Sequence, residues 1–223
     1  MSTLEPQEQE GPPPGRLMRM PRVVTLLALA IALAHVASYL LDPRAFAALA
    51  GALAVTPSHF VDGEAGVPGA VASLFGHAFV HAGLLHLFFN LMLILQTGEL
   101  VAARFGRDAD GALRFLALFF GSAAAGGVAY VVINWGSPIP AVGASGAACG
   151  LFAAYLLAPF ADWRVALRTR QVLQMGLVFV LVNVALAAAA RLSGVLPIAW
   201  EAHLGGFLAG LVLYPILLPR RAS

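Results

Sequence analysis

Apolar residues fall in six long blocks, at positions 23–41, 84–103, 114–133, 142–160, 172–190 and 203–218, separated by short polar links. A helix that crosses a bilayer needs about 20 mostly apolar residues. The blocks therefore predict an all-α membrane protein, a bundle of six transmembrane helices. The last block is short and is read as tilted or extended beyond its apolar part. No second domain is visible. The longest connection, 42–83, contains the polar "VTPSHFVDGEAGVPG" and then the mildly apolar "AVASLFGHAFVHAG". The latter is read as an interfacial or re-entrant element.

Composition sharpens the class. Hydrophobic residues make up 60% of the 223 and charged residues 11%, with a mean hydropathy of +0.85. Soluble domains carry about 25% charged residues. All 13 basic residues are arginines, and they sit at block ends, which gives a nucleic-acid partner no basic face. Their placement predicts orientation, because cytoplasmic loops are enriched in positive charge. Eleven fall on one side: Arg16, Arg19, Arg22, Arg104, Arg107, Arg114, Arg164, Arg168, Arg170, Arg220 and Arg221. Only Arg44 and Arg191 fall on the other. Both termini are thus expected in the cytoplasm. The acidic, proline-rich start predicts a disordered tail over 1–20, without the order of charges of a secretory signal. The membrane domain is expected over 21–219, with a short cytoplasmic tail at 220–223. A single cysteine, Cys149, allows no internal disulfide.

This orientation makes blocks two, four and six all start at the outer face. Each carries polar residues near its start: His86 and Asn90, Ser145, and His203. Polar side chains inside a membrane are costly and face a partner or a cavity. At about 1.5 Å per residue, these four lie in one outer layer. His86 and Asn90 are four apart and share a helix face. Gly143 and Gly146 flank Ser145. Gly150 completes one small-x-x-x-small ridge, and Gly206 and Gly210 form another after His203, so the two helices can approach closely. A serine needs a base to take its proton, and histidine suits that task. Donors for an oxyanion are at hand in His86, Asn90 and the backbone at Ser145. Of the acids in or beside the blocks, Glu99 and Asp162 belong at the cytoplasmic end and Glu201 in the loop before His203. The pattern is a Ser–His dyad rather than a triad.

Three blocks, "HAFVHAGLLHLFFN" at 77–90, "GASG" at 143–146 and "HLGGFLAG" at 203–210, carry a resemblance. Over nearly all of 23–218 the chain is similar to bacterial-type rhomboid intramembrane serine proteases. The resemblance implies a six-helix bundle with a water-filled cavity opening outward, in a bacterial inner membrane. It implies cleavage of other proteins' transmembrane segments near their outer end, with no cofactor or metal. Ser145 would be the nucleophile and His203 the general base and acid. His86 and Asn90, with the Ala144–Ser145 backbone, would hold the oxyanion, and His81 would be structural. Three positions depart from the family pattern. A Trp-Arg pair is missing from "AVASLFG", Ala102 stands for a frequent glutamate with Glu99 one turn earlier, and Cys149 stands for a frequent aromatic.

The same residues also admit blander readings. Ser145 alone would be a packing serine, and Cys149 a small core residue. His77 and His81 are spaced as a possible metal pair, and His86 with His203 as possible haem ligands, but neither accounts for "GASG" and Asn90. His35 is expected to pack or to face a cavity, His59 to lie in an exposed loop, and Glu99 and Arg104 to pair at the cytoplasmic end. A transporter would show repeats or broken helices. The main rival is a catalytically silent relative that binds transmembrane helices without cutting them.

Overall fold

The computed structural model describes residues 20–63, 65–193 and 198–219. The N-terminal tail up to residue 19 and the tail at 220–223 lie outside the described residues. Among those described the chain is helical, apart from one antiparallel bridge between Val55 and Ala141.

Each apolar block becomes a helix: α1 Arg22–Ser38, α5 Leu84–Phe105, α6 Ala109–Ile133, α7 Ser145–Leu157, α9 Arg170–Ser193 and α10 Trp200–Leu217. The long first connection holds three more, α2 Pro43–Leu53, α3 Pro57–Val61 and α4 Gly66–Gly76, followed by a single 3₁₀ turn at His77–Phe79. A short α8, Trp163–Ala166, joins α7 to α9. By length and composition α5, α6, α9 and α10 are able to cross a membrane, whereas α1 and α7 are shorter.

The ends of the helices have local causes. α6 starts five residues before its apolar block. Asp108 caps it by accepting from Gly111 N at 2.9 Å, and Asp110 pairs with Arg114 at 2.7 Å within its first turns. α7 is shorter than its block at both ends. Gly143 has φ +111°, outside the helical region, and Pro159 offers no N–H to continue the ladder. Asp42 caps α2, accepting from Arg44 N and Ala45 N at 2.9 and 3.3 Å.

α7 is the centre of the bundle, with α5, α6 and α10 around it. Its Leu151, Ala153, Ala154 and Leu157 are fully enclosed. Small residues permit this. A Cβ on Gly126 of α6 would lie 2.6 Å from Ala202 O on α10, and one on Gly206 or Gly210 would meet the carbonyl of Gly146 or Gly150 on α7. α9 lies outside this cluster, with α10 and α7 as its main neighbours. It exposes Leu173, Leu177, Val178, Leu181 and Val184. Apolar surface of that extent suits lipid rather than water.

Candidate active site

Ser145 is the first residue of α7, and the chain reaches it through irregular backbone held on every side. Val55 and Ala141 exchange hydrogen bonds of 3.0 and 2.9 Å, Gly143 N donates to His77 O at 2.8 Å, and Ala144 N donates to His81 Nε2 at 3.4 Å. Non-helical backbone at membrane depth is stable only where protein satisfies it. Glycine is required at 143 on two counts. Its φ is +111°, and a Cβ there would lie 2.6 Å from His86 Cε1 and 2.7 Å from His86 Nε2. No side chain caps the start of α7. Its first N–H groups have no partner within the helix and carry the positive end of its dipole.

The thirteen residues of α7 rise about 20 Å, against a hydrocarbon core of about 30 Å. A helix of that length is too short to span the core by itself.

His203 lies in the first turn of α10, one turn before Gly206. Its Nε2 is 2.8 Å from Ser145 Oγ. Its Nδ1 is 2.7 Å from Oδ1 of Asn183, on α9. Asn183 Nδ2 in turn donates to Phe179 O at 2.9 Å. Both Ser145 and His203 are partly accessible.

The other polar residues gather around the same point. His86 and Asn90 lie on one face of α5, where Asn90 Nδ2 donates to His86 O at 2.9 Å. A Cβ on Gly143 would also lie 3.6 Å from Asn90 Nδ2, so both side chains border the irregular segment leading to Ser145. The Ala144 N–H is directed at His81, and the free donors of α7 therefore begin at Ser145. His81 is buried between His86 and His35, with ring centroids 5.2 and 6.2 Å away. Burial above all, and then the neighbouring His86 and His35, lower its pKa to about 4. The neutral ring is the form able to accept from Ala144 N–H.

Glu201, Arg104 and His59 fall elsewhere than their sequence suggests, whereas His35 and Cys149 pack as expected. Glu201 is in the first turn of α10, not in a loop. It is buried, and its Oε1 accepts from Asn134 Nδ2 at 3.1 Å. Arg104 donates to Phe160 O at 2.9 Å, tying α5 to the end of α7. His59 lies in α3 and is half-buried rather than in an exposed loop. His77 Nδ1 is 2.9 Å from Ser73 O, and burial lowers its pKa against the opposing effect of that bond. His35 is packed, with its ring against Tyr39 and His81. Cys149 and Ala102 are buried. The structure adds one residue to the set, Asn183. Its signal in the sequence is an amide amid the apolar residues of block five, where Gln174 is the one other amide.

The model of the Rhomboid domain matches residues 68–220, about two-thirds of the chain. The chain belongs to the rhomboid family. It is also similar to RHOMBOID-like protein 5 of Arabidopsis thaliana, with 30% identity over 141 residues, 63% of this chain. The match spans 42% of that relative's length, so it speaks for the rhomboid domain alone. The matched region begins in α4 and contains α5 to α10, with Ser145, His203, His86 and Asn90 inside it. Family membership and several apolar helices make the chain a multi-pass integral membrane protein of all-α build.

Proposed function

We propose that this rhomboid is an intramembrane serine endopeptidase that cuts transmembrane segments of other membrane proteins near their outer end. The observation that supports this best is the 2.8 Å hydrogen bond between Ser145 Oγ and His203 Nε2. It joins a nucleophile and a base from two helices at the end of a short central helix.

The reaction needs only this chain's groups, the substrate and water. A substrate helix, locally unwound, presents a carbonyl carbon to Ser145 Oγ. His203 Nε2 takes the hydroxyl proton as the new C–O bond forms. Negative charge moves to the carbonyl oxygen, where the Ser145 N–H at the start of α7, the Asn90 amide and the His86 ring serve as donors. The tetrahedral adduct collapses, the C–N bond breaks, and Nε2–H gives its proton to the leaving amine. A water, deprotonated by the same nitrogen, hydrolyses the acyl-enzyme and restores Ser145. No acidic side chain, metal or cofactor is assigned a step. The clustering of eleven arginines on one side supports cytoplasmic termini and a site open to the outer face, in this reading of a bacterial inner membrane.

The test is cleavage of a panel of tagged transmembrane segments by the purified full chain in detergent and in liposomes, with Ser145→Ala beside it. Cleavage by the wild type alone, with fluorophosphonate labelling at Ser145, is the expected result. A folded wild type that neither cleaves nor labels would sink the proposal and favour a rhomboid that binds transmembrane helices without cutting them.

A further inference from the structure

His203 uses both ring nitrogens, and only one of its partners has a part in the reaction so far. The other, Asn183, belongs to α9, the least buried of the four helices long and apolar enough to cross a membrane. Resting on the reading of Ser145 and His203 as the reacting pair, we propose that Asn183 is the positioning residue of the site. Its Oδ1 holds His203 Nδ1–H and thereby fixes the ring position and tautomer that leave Nε2 free for the serine proton.

The local hydrogen bonds settle which atom does what. Asn183 Nδ2 lies 2.9 Å from Phe179 O, one turn back on the same helix. A carbonyl only accepts, so this nitrogen donates, and the amide oxygen is the atom that faces His203 at 2.7 Å. An amide oxygen also only accepts. His203 Nδ1 must then carry the hydrogen. In a neutral imidazole the other nitrogen is left with a lone pair, and Nε2 lies 2.8 Å from Ser145 Oγ, poised to accept. Flipping the amide would set oxygen against oxygen at Phe179 and an NH₂ against Nδ1.

The anchor itself is rigid. The Phe179 ring stacks on Phe207 of α10, with centroids 4.3 Å apart and planes 15° apart, and Phe152 of α7 flanks it at 5.8 Å. The carbonyl that orients the amide is therefore fixed to the two helices that carry the serine and the histidine. The acid closest in sequence to His203, Glu201, is tied to Asn134. A neutral amide also suits the location. It orients the base as an asparagine does in Cys–His–Asn proteases, without the desolvation of a buried carboxylate.

The test compares the full chain with Asn183→Leu, which removes the acceptor, and Asn183→Asp, which keeps an acceptor and adds charge. The tautomer and titration of His203 are read from ¹⁵N-histidine spectra, with His203→Gln to assign the signal. Beside these run the rate of fluorophosphonate labelling at Ser145, and kcat and KM for a cleaved segment. We expect Nδ1–H in the wild type and mixed tautomers in Asn183→Leu. Labelling and kcat should fall about tenfold to a hundredfold in that variant, part of the roughly 10²–10⁴ that a placed base supplies, with KM little changed. Asn183→Asp should keep Nδ1–H, retain labelling, and move both the His203 titration and the acidic limb of the rate profile to higher pH. A wild-type tautomer and labelling rate in Asn183→Leu overturns the proposal. If the leucine variant does not fold, the aspartate variant decides, since an unshifted His203 titration overturns it equally. Tautomer and titration need no turnover, so a wild type that cleaves nothing would end the protease reading while the spectra still decide the role of Asn183.

Discussion

Gly206 on α10 faces the carbonyl oxygen of Gly146 on α7, and a Cβ on Gly206 would fall on that oxygen. Ser145 is one residue before Gly146 and His203 one turn before Gly206. A close approach of the two backbones is therefore next to the two side chains that meet. Gly206→Ala should push α10 away from α7. Overpacking a core costs about 1–3 kcal/mol, and the upper end applies where the obstacle is backbone. Thermal unfolding in detergent should show a lowered midpoint, and cleavage should be lost. Gly176→Ala is the contrast, since its Cβ would only touch Phe207 Cζ at 3.9 Å. Equal stability and activity in both variants would contradict this account of how the dyad is assembled.

The donors around the carbonyl should matter less than the dyad itself. Ser145→Ala is expected to abolish cleavage with the protein still folded, and His203→Ala to do nearly the same. Asn90→Ala removes one of several donors, so kcat should drop by about 10²–10³, with KM little changed. Since Asn90 also bonds to His86 O at 2.9 Å, unfolding midpoints must accompany the rates. An Asn90→Ala enzyme with unaltered kcat would remove Asn90 from the oxyanion set.

Much of this was legible in the sequence. Each apolar block became a helix, because runs of that length in a membrane can satisfy their backbone groups only internally. Helix and block ends differ where a rule about apolarity does not apply. α6 starts before its block because Asp108 caps it and Asp110 pairs with Arg114, and Gly143 and Pro159 shorten α7. Ser145 and His203 could be set at one depth because charge placement and helix rise are independent signals. Asn183 carries no charge to mark it, and an apolar run does not show which partner an amide faces. Glu201 lies in α10 rather than in the loop before it. Nearness in sequence to His203 says little about direction, and a residue two positions earlier on a helix points elsewhere, here to Asn134.

Gly143 offers a test of the irregular approach to the serine. Its φ of +111° disfavours any L side chain, and the Cβ would intrude on the His86 ring at 2.6 Å. Backbone strain of this kind costs about 1–3 kcal/mol. Gly143→Ala should therefore lower stability and displace His86, reducing kcat more than the loss of stability explains. Gly136→Ala separates the two effects. It shares a positive φ, +74°, but has nothing within 4 Å of its Cβ. It should show strain without loss of turnover in the protein that remains folded. Equal catalytic loss in both would show that the His86 contact is unimportant.

Acid should weaken the fold through His81. Its pKa is lowered from 6.5 to about 4, first by burial and then by His86 and His35, and that of the buried His77 is lowered as well. Between these two values the unfolded chain binds a proton that the folded chain refuses, so stability falls as pH falls. The loss begins below pH 6.5 and is complete near pH 4, at about 3 kcal/mol for His81 alone at 1.36 kcal/mol per pKa unit. The protonated ring also loses the lone pair that accepts Ala144 N–H, so the chain entering Ser145 is where the structure should loosen first. Unfolding midpoints from pH 7.5 to 4.5 should decline in the wild type and decline less steeply in His81→Gln. Protection of the Ala144 amide, taken relative to its intrinsic exchange rate at each pH, should fall below pH 6.5 more than that of the α7 interior. Parallel pH profiles for the two proteins would show that His81 titrates in the folded protein as it does in the unfolded chain.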